Sequence, residues 1–258
     1  MIKKGVVYCV TDSKAYLGSA LISAIVLRSF EPTLPITIVS NLSVLKTLPL
    51  NAYLIETQLL TTQELGDNHP FVSRYAKTRL IQLSPYTETL FLDADILPCQ
   101  GVRQLWTYLN EASIAMAFDR LPQVEMCDHI SEEEKLYTLA QIPALSTQFN
   151  SGVMLWKNNA ETQELFLQWQ REWNIFQKQD QLALVRALHR TQMTVAQIPN
   201  TYNVSPIDSV DLIKEGYPIH LLHCWGGMVA SGEFRRIAES RYPEIVQQVD
   251  FLMSNFDA

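Results

Sequence analysis

Thr89-Leu90-Phe91-Leu92 runs without a break into Asp93-Ala94-Asp95-Ile96-Leu97-Pro98, an apolar strand that stops abruptly on two carboxylates. In an extended segment residues i and i+2 point to the same side, so both aspartates face one point with a small alanine between them. Adjacent carboxylates at a strand end repel each other unless a cation sits between them or one is protonated. Hard oxygen ligands suit Mg²⁺ or Mn²⁺, and such an ion can bridge onward to phosphate oxygens. The plainer alternative is that the pair caps the next helix or faces solvent in a turn, because an isolated Asp-x-Asp is a common accident.

Outward from this stretch the chain alternates strand and helix signals. Gly5–Val10 is a β-rich run, Leu17–Phe30 has a helical apolar pattern, and Pro35–Ser40 reads as a second strand bounded by prolines. Ala52–Ile55 reads as a short third strand, followed by a helix from about Phe71 to Leu83. That rhythm predicts an α/β fold, a mainly parallel sheet covered by helices with ligands at the carboxyl ends of the strands. Beyond the aspartates, Val102–Asn110 reads as helical and Ile114–Phe118 as a strand. Residues 121–148 are polar and acidic around one helix, where Ser131 and Glu134 suit a capping box. Gly152–Trp156, Thr194–Ile198 and Ile219–Trp225 read as further strands, with helices at about 161–177, 180–190 and 243–254. No internal repeat or low-complexity linker interrupts the chain, so one compact α/β unit is the simplest account.

Composition narrows the classes of function. Apolar residues make up 47% and charged residues 18% of the 258, an ordinary globular balance. The formal net charge of −7 and the lack of an extended basic face argue against a nucleic-acid binder. An anionic nucleotide needs only a local positive site such as a bound metal, so it stays allowed. The apolar run in the opening MIKKGVVYCV is too short for a signal peptide, and no run approaches the ~20 residues that span a bilayer. Cys9, Cys99, Cys127 and Cys224 are scattered without a C-x-x-C pair, which points to reduced thiols and a cytoplasmic protein.

Three more segments join the aspartates: Phe149-Asn150-Ser151-Gly152 before an apolar run, Asp180-Gln181 opening a helix, and His223-Cys224-Trp225-Gly226 ending the last strong strand. In that order and spacing they resemble glycosyltransferase family 8, the glycogenin-like and galactosyltransferase-like retaining enzymes of the GT-A fold. The resemblance runs from Val6 to about Gly226. It implies a Rossmann-like, mainly parallel mixed sheet flanked by helices in one GT-A domain over 1–258, with residues 1–98 as the nucleotide-binding half and 99–258 as the donor-sugar and acceptor half.

Residue by residue, the resemblance implies a metal site of Asp93, Asp95 and His223, with Ala94 between the carboxylates. The plain alternative for His223 is a core histidine; His220, three positions away, reads as structural. Asn150 and Ser151 correspond to positions beside the donor sugar, although Ser-Gly is equally a turn into a strand. Asp180 corresponds to a sugar-hydroxyl acceptor and Gln181 to the group beneath the anomeric carbon, while Asp180 also suits a helix N-cap. Asp119 corresponds by position to a donor-sugar contact. Val10, Asp12 and Tyr16 resemble the segment that cradles uracil, and Gly226 closes the histidine motif. Lys77 stands sixteen positions before Asp93, where family members carry a nucleotide-contacting lysine. Arg74 and Lys77 are i, i+3 on one helix and share a face, suited to ribose and diphosphate; the alternative is an exposed face that also bears Arg79.

One departure stands out. The family continues H-x-x-G-x-x-K, with a lysine that helps neutralise the leaving diphosphate, and this chain has Val229 there. Arg235 or Arg236 is a candidate replacement. The expected activity is metal-dependent transfer of a hexose from a UDP-sugar, with Mn²⁺ or Mg²⁺, to an unidentified saccharide, lipid-linked glycan or protein. A donor-binding module without efficient transfer is the alternative that Val229 motivates. A nucleotidyltransferase ranks lower, since Thr11-Asp12-Ser13-Lys14-Ala15 lacks a glycine-rich triphosphate loop. Residues 57–72 and 121–148 are the expected acceptor-side loops.

Overall fold

The computed structural model describes residues 2–65 and 71–254. Its strands are β1 (Ile2–Val10), β2 (Ile36–Ser40), β3 (Ile55–Leu59), β4 (Tyr86–Leu92), β5 (Ile96–Pro98), β6 (Ile114–Gln123), β7 (Thr147–Lys157), β8 (Val195–Gln197) and β9 (Leu221–His223). The helices are α1 (Lys14–Phe30), α2 (Thr62–Leu65), α3 (Val72–Lys77), α4 (Leu80–Leu83), α5 (Glu132–Leu139), α6 (Ala160–Phe176), α7 (Gln181–Thr191), α8 (Pro206–Lys214), α9 (Glu233–Arg241) and α10 (Pro243–Ser254).

β1 and β2 are apolar on both faces because helices cover both sides of a parallel sheet; every residue of β2 is buried. Seven strands form one sheet in the order β3-β2-β1-β4-β7-β6-β8. The pairs β1–β2, β2–β3, β1–β4 and β6–β8 are parallel, and β7 runs antiparallel to both β4 and β6. This is the mixed, mostly parallel α/β sheet flanked by helices that the sequence implied. The chain builds outward from β1 through β2 to β3, then returns to lay β4 on the other side of β1. The strand order reverses between β1 and β4, and ligands of open α/β sheets bind in the crevice outside the carboxyl ends at such a point.

A two-stranded antiparallel ribbon, β5–β9, stands apart from the main sheet and pairs Ile96 with His223. Behind it α10 and α9 pack on α1. The α1 helix is capped by Ser13, whose hydroxyl accepts from the Tyr16 N–H at 3.3 Å. At its far end Arg28 donates to five carbonyls, those of Glu31, Pro32, Leu34, Tyr53 and Leu54.

Several local expectations need correction. The third strand is Ile55–Leu59 rather than Ala52–Ile55, because Leu50–Tyr53 is a 3-10 turn and Leu54 sits at φ 54°. As an edge strand, β3 exposes Glu56 and Thr57, so no apolar run marked it. The expected helix over 71–83 breaks at Thr78, whose hydroxyl donates back to the Tyr75 carbonyl at 2.8 Å. Residues 103–110 are helical as expected, in 3-10 form, whereas the strand expected over 219–225 shortens to β9. Ser131 caps α5, but Glu134 does not complete a reciprocal box; its carboxylate binds Arg186 instead. Of the loop expected over 57–72, residues 57–59 belong to β3 and 66–70 lie outside the described residues. The sequence reading passed over α8 and α9. No helix among the described residues is long and apolar enough to cross a membrane.

Candidate active site

A cavity of about 610 Å³ opens at the reversal between β1 and β4. Asp93, Ala94 and Asp95 follow β4, not as a continued strand but as a turn in which the Ile96 N–H donates to the Asp93 carbonyl at 3.1 Å. The turn still brings both carboxylates to one side. The Cys224 N–H donates to the Asp95 carbonyl at 2.9 Å, which ties the turn to β9. His223 Nε2 lies 3.3 Å from Asp95 Oδ1 and 3.9 Å from Asp93 Oδ2. One ligand atom from each of the three residues falls within 4.8 Å of the others. The imidazole is therefore no ordinary core histidine, although it is only 4% exposed.

The surroundings of His223 fit a metal ligand. Its Nδ1 stands 2.7 Å from Asn203 Oδ1, and Asn203 Nδ2 donates to Asn150 Oδ1 at 3.0 Å. The Asn150 oxygen also accepts from the Gly152 N–H at 2.9 Å. With Asn203 committed as an acceptor, Nδ1 carries the proton and Nε2 keeps its lone pair toward the carboxylates, the tautomer a metal ion requires. Two carboxylates and an imidazole form a mixed oxygen–nitrogen donor set suited to Mn²⁺ or Mg²⁺. His220, by contrast, stacks on Tyr202 at 4.1 Å and holds the Gly101 carbonyl, a structural role.

Lys77 supplies a positive charge beside the carboxylates. Its Nζ lies 2.8 Å from both Asp93 oxygens, 3.5 Å from Ser151 Oγ and 3.9 Å from Asp180 Oδ2. Burial lowers the ammonium pKa, but Asp93 and then Asp180 more than reverse that, and the net direction is upward. Burial pushes the Asp93 carboxyl above its ordinary range; Lys77 pulls it down and Asp95 adds to the rise. Arg74 faces the same cavity, with Nε donating to Gln179 Oε1 at 2.9 Å and its guanidinium over the Phe71 ring at 5.3 Å. Arg79 turns away to the Glu64 carbonyl.

Beside this cluster Asn150 donates to Asp119 Oδ2 at 3.0 Å, and Ser151 donates to Asp180 Oδ2 at 3.0 Å. Asp180 occupies the N-cap position of α7, yet its side chain makes no cap hydrogen bond. Its carboxylate is turned to Ser151 and Lys77 instead, so Asp180 holds the N-cap position without capping through its side chain. Gln181 lines the cavity, and its buried Nε2 has no hydrogen-bond partner among the described residues.

Of the residues singled out in the sequence, Val10, Tyr16, Arg74, Lys77, Asp93, Ala94, Asp95, Asp119, Asn150, Ser151, Asp180, Gln181, His223 and Gly226 all line this one cavity. Asp12 does not. It sits at φ 59°, with its carboxylate bound to Asn41 Nδ2 at 2.6 Å. Val229 packs against the apolar core. The suggested replacements also fall outside the cavity wall: Arg235 is held by Glu239 and Asp250 on the helix pair α9–α10, and Arg236 does not reach it. Sequence reasoning missed Asn203, for which no motif offered a signal, and the basic pair Arg120 and His129 in the wall.

Comparison with known proteins identifies a family and a fold. Residues 34–228 match the family model described as glycosyl transferase family 8. Among solved structures, the galactosyltransferase LgtC, determined with donor and acceptor sugar analogues, superposes with a TM-score of 0.64 at 17% identity, covering 95% of this chain and 99% of that one. The bifunctional glycosyltransferase WbbM gives 0.64 at 15% identity over 97% of this chain and 52% of its own. The glycosyltransferase GlyE of Streptococcus pneumoniae TIGR4 gives 0.62 at 14% identity over 96% of this chain and 63% of its own. At these identities the structural likeness speaks to the fold. No curated protein matches the sequence.

Proposed function

This chain belongs to glycosyltransferase family 8, and from that premise we propose that it transfers a hexose from a UDP-sugar to a saccharide, lipid-linked glycan or protein acceptor, with retention of anomeric configuration. The observation that carries the reading is the convergence of Asp93, Asp95 and His223 within 4.8 Å, in the crevice where the strand order reverses.

In this proposal residues 1–98 form the nucleotide-binding half and 99–258 the donor-sugar and acceptor half. Val10 and Tyr16 flank the base, and Asp12 acts there through its turn. Asp93, Asp95 and His223 hold Mn²⁺ or Mg²⁺. Bound there, the ion supplies Lewis acidity and a template for the departing diphosphate. Lys77 and Arg74 set positive charge beside the phosphates, where it counts most as charge develops on the leaving oxygen. Asp119, Asn150 and Asp180 orient the sugar hydroxyls. Gln181 lies beneath the anomeric carbon; an amide is a poor nucleophile, so the acceptor attacks from the face the leaving group vacates. The four free cysteines suit a reducing cytoplasm.

Val229 favours one second reading, a donor-binding module that turns over slowly, because no other cation is supplied from that position. Incubation with Mn²⁺ and a panel of UDP-sugars separates the two. Release of UDP supports transfer, binding without release supports the module, and pyrophosphate formation would point to nucleotidyl transfer. Asp95→Ala is expected to abolish metal-dependent UDP binding with the fold intact; wild-type affinity in that variant removes the proposed site.

A further inference from the structure

Beyond Asp119 the wall of the cavity turns basic. Arg120, in β6, and His129, ahead of α5, both line it. They share one partner: Arg120 Nη2 donates to both oxygens of Asp128 at 3.2 Å, and His129 Nδ1 stands 3.4 Å from Asp128 Oδ1. Arg120 Nε and Nη1 and His129 Nε2 have no hydrogen-bond partner among the described residues.

The stretch that carries these edges is anchored. Cys127 is 2% exposed and packs with Val124, Ile142, Leu182 and Val185. Lys135 Nζ donates to the Cys127 carbonyl at 2.7 Å. Leu182 and Val185 lie on α7, so this small core sets the basic wall against the helix that begins with Gln181.

A neutral hexose is already served by Asp119, Asn150, Asp180 and Gln181. It offers nothing that calls for a guanidinium with open N–H edges beside an imidazole whose Nε2 is free. Asp128 shows that the pair already gathers around one carboxylate, and the planar guanidinium fork has further edges for bidentate contact with a second anion.

We propose that Arg120 and His129 form a subsite for an acidic substituent, a carboxylate or a phosphate, on a sugar bound at this end of the cavity. The proposal rests on the nucleotide-sugar reading above. The acidic sugar is either the donor's own, a hexuronate, or part of the acceptor.

Calorimetric titration with Mn²⁺ tests it in two arms. The first compares UDP-glucuronate and UDP-galacturonate with UDP-glucose and UDP-galactose. The second, with UDP and Mn²⁺ saturating, compares glucuronate and glucose 6-phosphate with glucose. The acidic ligand is expected to bind about tenfold tighter in one arm, since charge-assisted hydrogen bonds are roughly twice as strong as neutral ones. Arg120→Gln is expected to cut that preference to about twofold, and His129→Gln to lower it in the same direction. Both side chains are well exposed, at 48% and 39%, so the variants fold. The arm that shows the preference identifies the source of the acid. Absence of preference in both arms, or a preference that survives both substitutions together, overturns the subsite. Failure of UDP itself to bind with Mn²⁺ overturns the nucleotide-sugar reading, and the subsite with it.

Discussion

The imidazole of His223 fills the space that any side chain on residue 152 would need: a Cβ there would stand 2.2 Å from His223 Cε1 and 2.8 Å from Nδ1. Gly152 also gives its carbonyl to the Asp93 N–H at 2.8 Å and its own N–H to Asn150. A single position in β7 thus sets the approach of the imidazole and the height of the first aspartate.

Gly152→Ala follows directly from that contact. The added methyl must displace the imidazole or the strand, and overpacking of this kind costs about 1–3 kcal/mol. The variant is expected to melt below the wild type and to lose at least about tenfold in Mn²⁺-dependent UDP affinity, as disturbed metal sites do. Thermal denaturation and calorimetry read the two effects separately. Unchanged affinity would show that His223 does not serve the ion from its present position.

Asn203→Leu removes the acceptor that fixes the His223 tautomer. Losing the outer hydrogen-bond partner of a metal-bound histidine lowers metal affinity by about 10- to 100-fold. Mn²⁺ titration followed by UDP binding measures it, and a loss under twofold would detach Asn203 from the site.

Arg186, 1% exposed, joins Glu134 of α5 to Glu172 of α6 and lies between the Tyr137 and Phe176 rings, at 5.4 and 5.5 Å. Arg186→Ala strands the Glu134 carboxylate in the interior and leaves Glu172 to Arg190 alone, a change worth about 3–5 kcal/mol of stability. Urea denaturation checks the figure; a cost below about 1 kcal/mol would mean that water reaches the Glu134 carboxylate.

The thiols give a pH dependence. Burial raises Cys9 and Cys224 to about 12 and Cys127 to about 11. The unfolded chain sheds these protons near the ordinary 9.0 while the folded chain keeps them, so the folded state binds more protons and loses stability as pH rises. The contribution is whole below pH 9 and declines toward 12. Native protein at pH 8 should react slowly with a thiol reagent, and its melting temperature should fall through this alkaline window. Rapid modification of Cys127 or Cys224 would contradict their burial.

The sequence spoke clearly where one chemical requirement fixed one residue type. The apolar run into Asp93 and Asp95 gave a strand end with two acids, and buried β1 and β2 were legible as β-rich stretches. The edge strand β3 was displaced in the reading because its outer face is polar, and the break at Thr78 depends on a side-chain hydroxyl rather than on periodicity. The extended geometry expected for Asp93-Ala94-Asp95 is a turn, yet its purpose survives because a turn also gathers i and i+2. Asn203 was invisible, since an asparagine becomes an outer partner only once the chain has folded around His223. Arg120 and His129 lay inside a stretch read only as a polar loop; their joint grip on Asp128 depends on how that stretch curls over Cys127.

The β5–β9 ribbon carries a consequence for biosynthesis. Asp95 leaves the ribosome 128 residues ahead of His223 (223 − 95), and the helices that back the ribbon, α9 and α10, emerge later still. The growing chain must therefore carry its pair of acids through about half of translation without the imidazole that completes the cage. Lys77 is made before either acid and pairs with Asp93 in the finished protein, so a counter-charge is at hand from the start. A ribosome-bound chain truncated before β9 can own a formed central sheet and still be unable to grip a cation.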